Sequence, residues 1–340
     1  EILIGLVGSE MCIRDRLYVT LEPCCHYGKT PPCTEAILEQ KIARVVIGSR
    51  DPNPLVSGKG AAILKAAGVR VEEDFMREEC DALNPVFFHY ITKKTPYVVM
   101  KYAMTADGKI AARTGDSKWI TGESARKKVQ ELRHQYMGIM AGIGTVLADD
   151  PMLNVRIPGL KSPVRIICDS GLRIPMDSKI VKTAKEYRTI VAYAGEHSGE
   201  GCKEAEEKEE QLHAAGVETV SVPDADGRVD LRKLMEYLGN QGIDSVLLEG
   251  GGTLNDAALS AGIVNEICAF IAPKIFGGAG AKTPVSGIGV AHPAEAVKLT
   301  LRQMETIGDD LMLRYYETIR ANRTKIVLLE TSVEKVVDHV

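Results

Sequence analysis

The feature that most restricts how this chain folds is the alternation of strand-length apolar runs with short helical stretches. LYVTL (17–21), RVVIGS (44–49) and VRVEE (69–73) are separated by CTEAILEQ (33–40) and GAAILKAAG (60–68). Strands divided by helix-length crossovers build a mostly parallel sheet, because a right-handed crossover returns each strand beside the last. The expected class is therefore α/β. The pattern resumes in YVVMKYAMT (97–105), MGIMAG (137–142), VRIICDS (164–170), TIVAYA (189–194), VETVSV (217–222), SVLLEGG (245–251) and NEICAFIAP (265–273). It ends in VKLTLRQ (297–303) and DLMLRYY (310–316). Thr121 to Gln135 reads as a capped amphipathic helix, and KEAEEKEEQLHAAG (203–216) as a solvated helix ending at Gly216. Asp81 to Pro96, with two prolines and a Lys-Lys pair, suits a connecting segment better than a further βα unit.

A length of 340 residues gives a prior of two domains. The expected division is a non-native segment at 1–16, a first domain with its linker at 17–95, a second domain at 96–318 and an unassigned tail at 319–340. The opening EILIGLVGSEMCIRDR lacks the basic start and small-residue cleavage site of a signal peptide. With 42 Lys+Arg against 46 Asp+Glu, a net charge of -4 and 5% aromatic residues, nothing favours sequence-independent nucleic-acid binding. No apolar run approaches the roughly 18 residues of a membrane span. Eight cysteines, mostly scattered, argue for a reducing compartment, and the expected location is the cytoplasm.

One dense cluster carries chemistry. In EPCCHYGKTPPC (22–33), Cys24 and Cys33 lie between a strand and a helix, each behind a proline that stiffens the loop. Two thiolates so placed can approach one ion, and zinc is the obvious candidate; a catalytic zinc needs a third protein ligand as well. Cys25 or His26 could instead close a structural zinc site, and buried apolar thiols are a further alternative. In the second half, LLEGGGTLNDA (248–258) puts three glycines after a strand and before a helix, where backbone N–H groups can approach phosphate. No strand followed by G-x-G-x-x-G occurs, which disfavours a Rossmann domain.

TLEPCCHYGKTPPC (20–33) and DPNPLVSGKG (51–60) resemble the zinc-dependent nucleoside-type deaminases, and within them the bifunctional riboflavin-biosynthesis deaminase/reductases. In that family an upstream His-Ala-Glu motif supplies the third zinc ligand and the proton-shuttling Glu. No His precedes Cys24 here, so the resemblance implies a truncated, cytidine-deaminase-like domain whose zinc site, Cys24 and Cys33, is incomplete and inactive as written. KYAMTADGK (101–109), GDSKWITG (115–122), GIGTVLADDPMLNVR (142–156) and the glycine run resemble the reductase half of the same family, whose fold is similar to dihydrofolate reductase.

By position the resemblance implies substrate contacts from Ser117, Arg133, Leu153, Arg156 and Glu249. It implies NADPH contacts from Ala103, Trp119, Thr145, Asp149, Ser170, Gly251, Gly252, Thr253, Leu254, Asn255, Asp256 and Ala257. Arg133 and Arg156 suit a ribose phosphate as planar forks. Lys101 and Glu249 are the candidate catalytic residues, to polarise and protonate the opening sugar or to fix the pyrimidine. Arg173 meets the 2'-phosphate of NADPH or is a surface cation. The implied activity is NADPH-dependent reduction of 5-amino-6-(5-phosphoribosylamino)uracil, a phosphorylated aminopyrimidine, by a homo-oligomer. The rival readings are a zinc deaminase of a base with an accessory domain, and a zinc-stabilised nucleotide-binding scaffold.

Overall fold

The computed structural model describes residues 16–28, 30–195 and 202–317. The tail expected at 319–340 lies outside the described residues, as does the segment expected to be non-native apart from Arg16. The chain divides into two compact units between Lys93 and Lys94.

The first unit is built on three parallel strands, β1 (Arg16–Leu21), β2 (Arg44–Ser49) and β3 (Arg70–Glu72), in that order. The crossovers are α1 (Cys33–Glu39) and α2 (Lys59–Ala66), and Ile37, Val45, Ile47 and Leu64 form the core between them and the sheet. Glu22, at the end of β1, is buried and turns its carboxylate onto the start of α2. It accepts the N–H groups of Asp51 (3.3 Å), Gly58 (3.0 Å) and Ala61 (3.2 Å). The acid of the Leu-Glu-Pro-Cys stretch therefore caps a helix whose own cap residue, Gly58, has no side chain to do so. The connecting segment contains no strand and is helical: α3 (Arg77–Leu83) is followed by α4 (Pro85–Lys93). Its prolines do not prevent this, because Pro85 is the first residue of α4, where no N–H is needed, and Pro96 lies past its end.

The second unit holds a sheet of nine strands. These are β4 (Tyr97–Thr105), β5 (Gly138–Gly142), β6 (Val164–Cys168), β7 (Thr189–Tyr193), β8 (Glu218–Ser221), β9 (Ser245–Leu248), β10 (Val264–Ala272), β11 (Leu299–Ile307) and β12 (Asp310–Glu317). The order is β11-β12-β10-β4-β9-β5-β6-β7-β8. All pairs from β10 to β8 are parallel, while β12 and β11 add an antiparallel hairpin at one edge. The central strands are continuous apolar runs because both faces are covered. Met140, Ile166, Ile190 and Leu248 face one core with α9 (Leu231–Asn240), and Ile139, Ile167 and Val191 face the other. In α9 the buried Leu231, Leu234, Met235 and Leu238 mark one helical stripe, capped by Asp230, which accepts the N–H of Arg232 and of Lys233.

Three further helices frame the carboxyl ends of the strands: α5 (Glu123–Gln135), α6 (Ile143–Asp149) and α10 (Gly252–Ser260). The cap of α5 falls beside Thr121, where it was expected, but without a side-chain hydrogen bond. Gly122 is the cap residue, with no side chain to offer, and its N–H donates to Asp310 of β12 at 2.7 Å. The charged stretch at 203–216 falls on α8 (Cys202–Ala214), with Gly216 in the left-handed region at φ 92°. No described helix is long and apolar enough to cross a membrane.

Glu22→Ala leaves buried N–H groups without their acceptor and is expected to cost about 3 kcal/mol, read by denaturant unfolding of the intact chain. Unchanged stability would show that water replaces the carboxylate at no loss.

Candidate active site

In an open parallel sheet, ligands meet the carboxyl ends of the strands, where loops leave toward opposite faces. Register shows what stands there. Met100, Leu248, Met140 and Ile166 form one row across β4, β9, β5 and β6. One residue further along, Lys101 follows on β4 and Glu249 leaves β9. Strand alternation turns both to the face opposite Met100 and Leu248.

On that face Glu249 sits between two cations, and all three side chains are only 12–13% exposed. Arg133, from α5, donates Nε to Oε1 at 2.7 Å and Nη2 to Oε2 at 3.0 Å. Lys101 Nζ stands 3.5 Å from Oε2 and lies over the ring of Phe270 at 5.9 Å. Burial pushes the Glu249 carboxyl up, but Arg133 and Lys101 outweigh it and hold the group at about 2. At neutral pH it is therefore an anion and an acceptor, with no proton to give. The remaining end of the Arg133 fork donates to Asn154 O at 3.1 Å. Three of the five guanidinium N–H groups of Arg133 are thus engaged within the protein. Arg156 is exposed, its N–H donates to Gln130 Oε1 at 2.9 Å, and it lines a cavity of about 590 Å³ with Lys161, Tyr187 and Arg188.

The glycine run after β9 has a different explanation at each position. A Cβ on Gly250 would lie 2.8 Å from Asn255 Oδ1, and one on Gly252 would lie 2.8 Å from Thr283 O. Those two glycines are required by the protein's own packing. Only Gly251, the cap residue of α10, faces open space, with nothing within 4 Å of a Cβ. No side chain caps α10, so the N–H groups of its first turn stand at an open position, where an anion is favoured. Segment 283–287 lies against the same turn: Ser286 N–H donates to Gly252 O at 3.1 Å and Asn255 Nδ2 to Pro284 O at 2.8 Å. Asn255 is fully buried and holds this strap, while Thr253 is exposed and Leu254, Asp256 and Ala257 are half-buried.

The other expected residues lie on strands, helices and loops of the same unit. Ala103 is half-buried on β4, two residues beyond Lys101 on the same face. Ser117 and Trp119 lie on the loop before α5, and the guanidinium of Arg126 covers the Trp119 ring at 4.6 Å. Lys274, unmarked by any sequence motif, fixes this loop by donating to Trp119 O at 3.0 Å and Ile120 O at 2.7 Å. Asp107 ties the following residues down: it accepts the Thr105 hydroxyl (2.5 Å) and the N–H groups of Gly277 (2.7 Å) and Phe276 (3.2 Å), which hold its carboxyl at about 2. Thr145 is half-buried in the first turn of α6, and Asp149 is exposed at its end. Leu153 is buried with φ 49°. Ser170, just past β6, accepts the N–H of Val229 at 3.2 Å, and the neighbouring Asp169, missed in the sequence, is buried and accepts Ile174 N–H at 2.8 Å. Burial pushes the Asp169 carboxyl up.

In the first unit, Cys24 and Cys33 do come together, the N–H of Cys33 pointing at Cys24 Sγ at 3.3 Å. Burial and the neighbouring Cys24 push the Cys33 thiol up. Cys25 turns away toward Leu55 O at 3.7 Å, and His26 Nδ1 is enclosed without a hydrogen-bond partner. Among the described residues no three His, Cys, Asp or Glu side chains are placed to hold one metal ion. Two sulfurs fall short of the three protein ligands of a catalytic zinc, so these residues alone do not fit the ion.

A buried charged triad two residues before an open helix start, at the carboxyl edge of a parallel sheet, has the place and the chemistry of an α/β ligand-binding site. Comparison with known proteins makes the class specific. A family model, the RibD C-terminal domain, matches residues 96–313. The riboflavin biosynthesis protein RibD of Actinobacillus pleuropneumoniae is 56% identical over 298 residues, 88% of this chain and 77% of that protein. RibD of Aquifex aeolicus is 40% identical over 298 residues, 87% of this chain and 79% of that protein. Among solved structures, Acinetobacter baumannii RibD superposes with a TM-score of 0.74 at 34% identity, covering 88% of this chain and 80% of that one. A Thermotoga maritima diaminohydroxyphosphoribosylaminopyrimidine deaminase/5-amino-6-(5-phosphoribosylamino)uracil reductase gives 0.74 at 35% identity, covering 89% and 79%. The chain belongs to the RibD family of riboflavin-biosynthesis proteins.

Two outcomes are expected from the geometry. Gly252→Ala forces a Cβ into backbone and should cost about 1–3 kcal/mol, whereas Gly251→Ala should leave the melting temperature unchanged; equal effects would refute the assignment. Glu249, depressed from its ordinary 4.5 to about 2, contributes stability that is fully present above pH 4.5 and lost as pH falls through about 2. Glu249→Gln should flatten the pH dependence of unfolding free energy across that window, measured by denaturant titration at a series of pH values.

Proposed function

We propose that the second unit is an NADPH-dependent reductase converting 5-amino-6-(5-phosphoribosylamino)uracil to its ribitylamino product. The observation that carries this reading is the Lys101–Glu249–Arg133 triad standing beside the open turn at Gly251. When bound, NADPH supplies hydride to C1' of the sugar. The rest falls to the protein: holding the sugar in line, supplying one proton to the opening ring, and keeping water out.

Residues fall into roles by their surroundings. Glu249 is ionised and accepts, so it fixes an N–H donor of the aminopyrimidine. Lys101 is the group that holds a proton at the reacting sugar, with its Nζ 3.5 Å from Glu249 Oε2. Arg133 orients Glu249 through both carboxylate oxygens. The sugar phosphate falls to Arg156 and Ser117, and Leu153 walls the substrate. Gly251 and the first turn of α10 suit the cofactor's diphosphate because their N–H groups are uncapped. Asn255 acts at one remove, by holding Pro284 against that turn. Trp119, Ala103, Thr145 and Ser170 complete the cofactor surface. The first unit keeps the cysteine pair of a zinc deaminase, and the reductase reading does not depend on it.

NADPH oxidation on adding the ribosylaminouracil phosphate, followed by absorbance, tests the proposal. Lys101→Ala and Glu249→Ala should each lower kcat by about 100-fold or more, in the range typical of losing a proton-transfer group. Near-normal turnover in both variants would overturn the roles, and no oxidation by the unaltered chain would overturn the activity.

A further inference from the structure

The largest fully buried side chain is a cation outside the triad. Arg165, on β6, has 0% exposure and makes no ion pair among the described residues. Five acceptors take its N–H groups instead. Thr189 Oγ1 receives Nε (3.0 Å) and Nη2 (2.7 Å), and Nη2 also donates to Ile180 O (2.8 Å) and Tyr187 O (3.1 Å). Nη1 donates to Thr183 Oγ1 (2.8 Å) and Met152 O (3.3 Å). Burial pulls the guanidinium down to about 10, against Coulombic support from Tyr187 and Glu186. An ion buried without a counter-ion is unfavourable, and an apolar residue would fill the space at lower cost. Something other than stability accounts for its place.

What it grips is informative. Ile180 belongs to the short helix α7 (Lys179–Lys182), and Tyr187 precedes β7. Met152 sits in the reversal after α6, where two non-glycine residues, Asp150 (φ 40°) and Leu153 (φ 49°), take left-handed backbone conformations. Such a turn does not hold itself; neighbours must over-determine it. Arg165 fastens it from below at Met152 O, and Asp150 fastens it to α7, accepting Lys179 N–H at 2.8 Å. The next residue along, Asn154, accepts Nη1 of Arg133, whose other two donors hold Glu249.

We propose that Arg165 is a positioning residue for the substrate half of the site: it sets the Met152–Asn154 reversal, and through Asn154 O and Arg133 the orientation of Glu249. The reversal also carries Leu153 and leads to Arg156, the residues assigned above to substrate. Among the described residues no hydrogen bond joins Arg165 or its acceptors to the turn at Gly251. The proposal rests on the reductase reading for its kinetic consequence, but its structural part stands alone.

The test is Arg165→Lys in the full chain. It should raise the KM for the ribosylaminouracil phosphate about tenfold, equivalent to about 1.4 kcal/mol, with the KM for NADPH unchanged and amide hydrogen exchange at residues 150–156 accelerated. Thr183→Val, a milder removal of one acceptor of Nη1, should shift the same two quantities less, and serves where Arg165→Lys does not fold. Leu238→Ala, a cavity in α9 remote from the reversal, should lower the melting temperature with the substrate KM unmoved. The proposal is overturned if exchange at 150–156 is unchanged, if the NADPH KM rises in step with the substrate KM, or if Leu238→Ala raises the substrate KM equally. Faster exchange at 150–156 in a chain that does not oxidise NADPH would support the positioning role and reject the reductase reading.

Discussion

The second unit is organised around a carboxylate that stays ionised out of water. Removing Glu249 from solvent alone would cost several kcal/mol, and the cost is offset only because Arg133 and Lys101 meet it with good geometry. The three residues come from β4, α5 and the end of β9, so the pairing demands that β9 insert between β4 and β5 in one register. A slip of one residue would turn Glu249 to the opposite face, among Met100, Met140 and Leu248, with no partner. The interaction that prepares the chemistry thus also selects the strand order.

A second set of ties builds the cleft walls from parts distant in sequence. Asp107 gathers the backbone of Phe276 and Gly277, Lys274 holds the carbonyls of Trp119 and Ile120, and Asn255 holds Pro284. Each is a side chain that satisfies backbone groups of a loop, the device by which a loop without regular structure acquires a fixed shape. The Asp107 carboxyl, held at about 2 by the Thr105 hydroxyl and two N–H groups, remains an acceptor throughout the neutral range.

The α/β class was legible because the central strands are buried on both faces and appear as unbroken apolar runs, and because each crossover is short. Most strand positions followed from those runs within a residue or two; the run at 245–251 overshot β9, which ends at Leu248, and the run at 297–303 stopped short of β11, which continues to Ile307. The insertion of β9 beside β4 was not legible, since local periodicity carries no information on which strands pair. The tie at the start of α5 was not legible for the same reason: Asp310, which accepts the Gly122 N–H, is 188 residues away. In the site, Lys101, Arg133 and Glu249 were nameable from the resemblance, but their mutual pairing was not, since Arg133 reaches Glu249 from 116 residues away. The glycine run marked the helix start correctly, yet two of its glycines answer to Asn255 and Thr283 and only Gly251 to open space. Arg165 gave no signal at all, because a lone cation in VRIIC reads as an outward strand position until the sheet shows both faces covered.

Charge counting around the triad explains why its occupants should be anionic. Two cations face one carboxylate within a water-poor pocket, leaving one positive charge uncompensated, and the uncapped turn at Gly251 adds partial positive charge from its N–H groups. A neutral group bound there would leave that excess standing, whereas an anionic one would reduce it. The chain as a whole carries -4, so the attraction is local to the cleft. A positive field confined to the carboxyl edge of the sheet favours anions there over adsorption elsewhere on a chain of net negative charge.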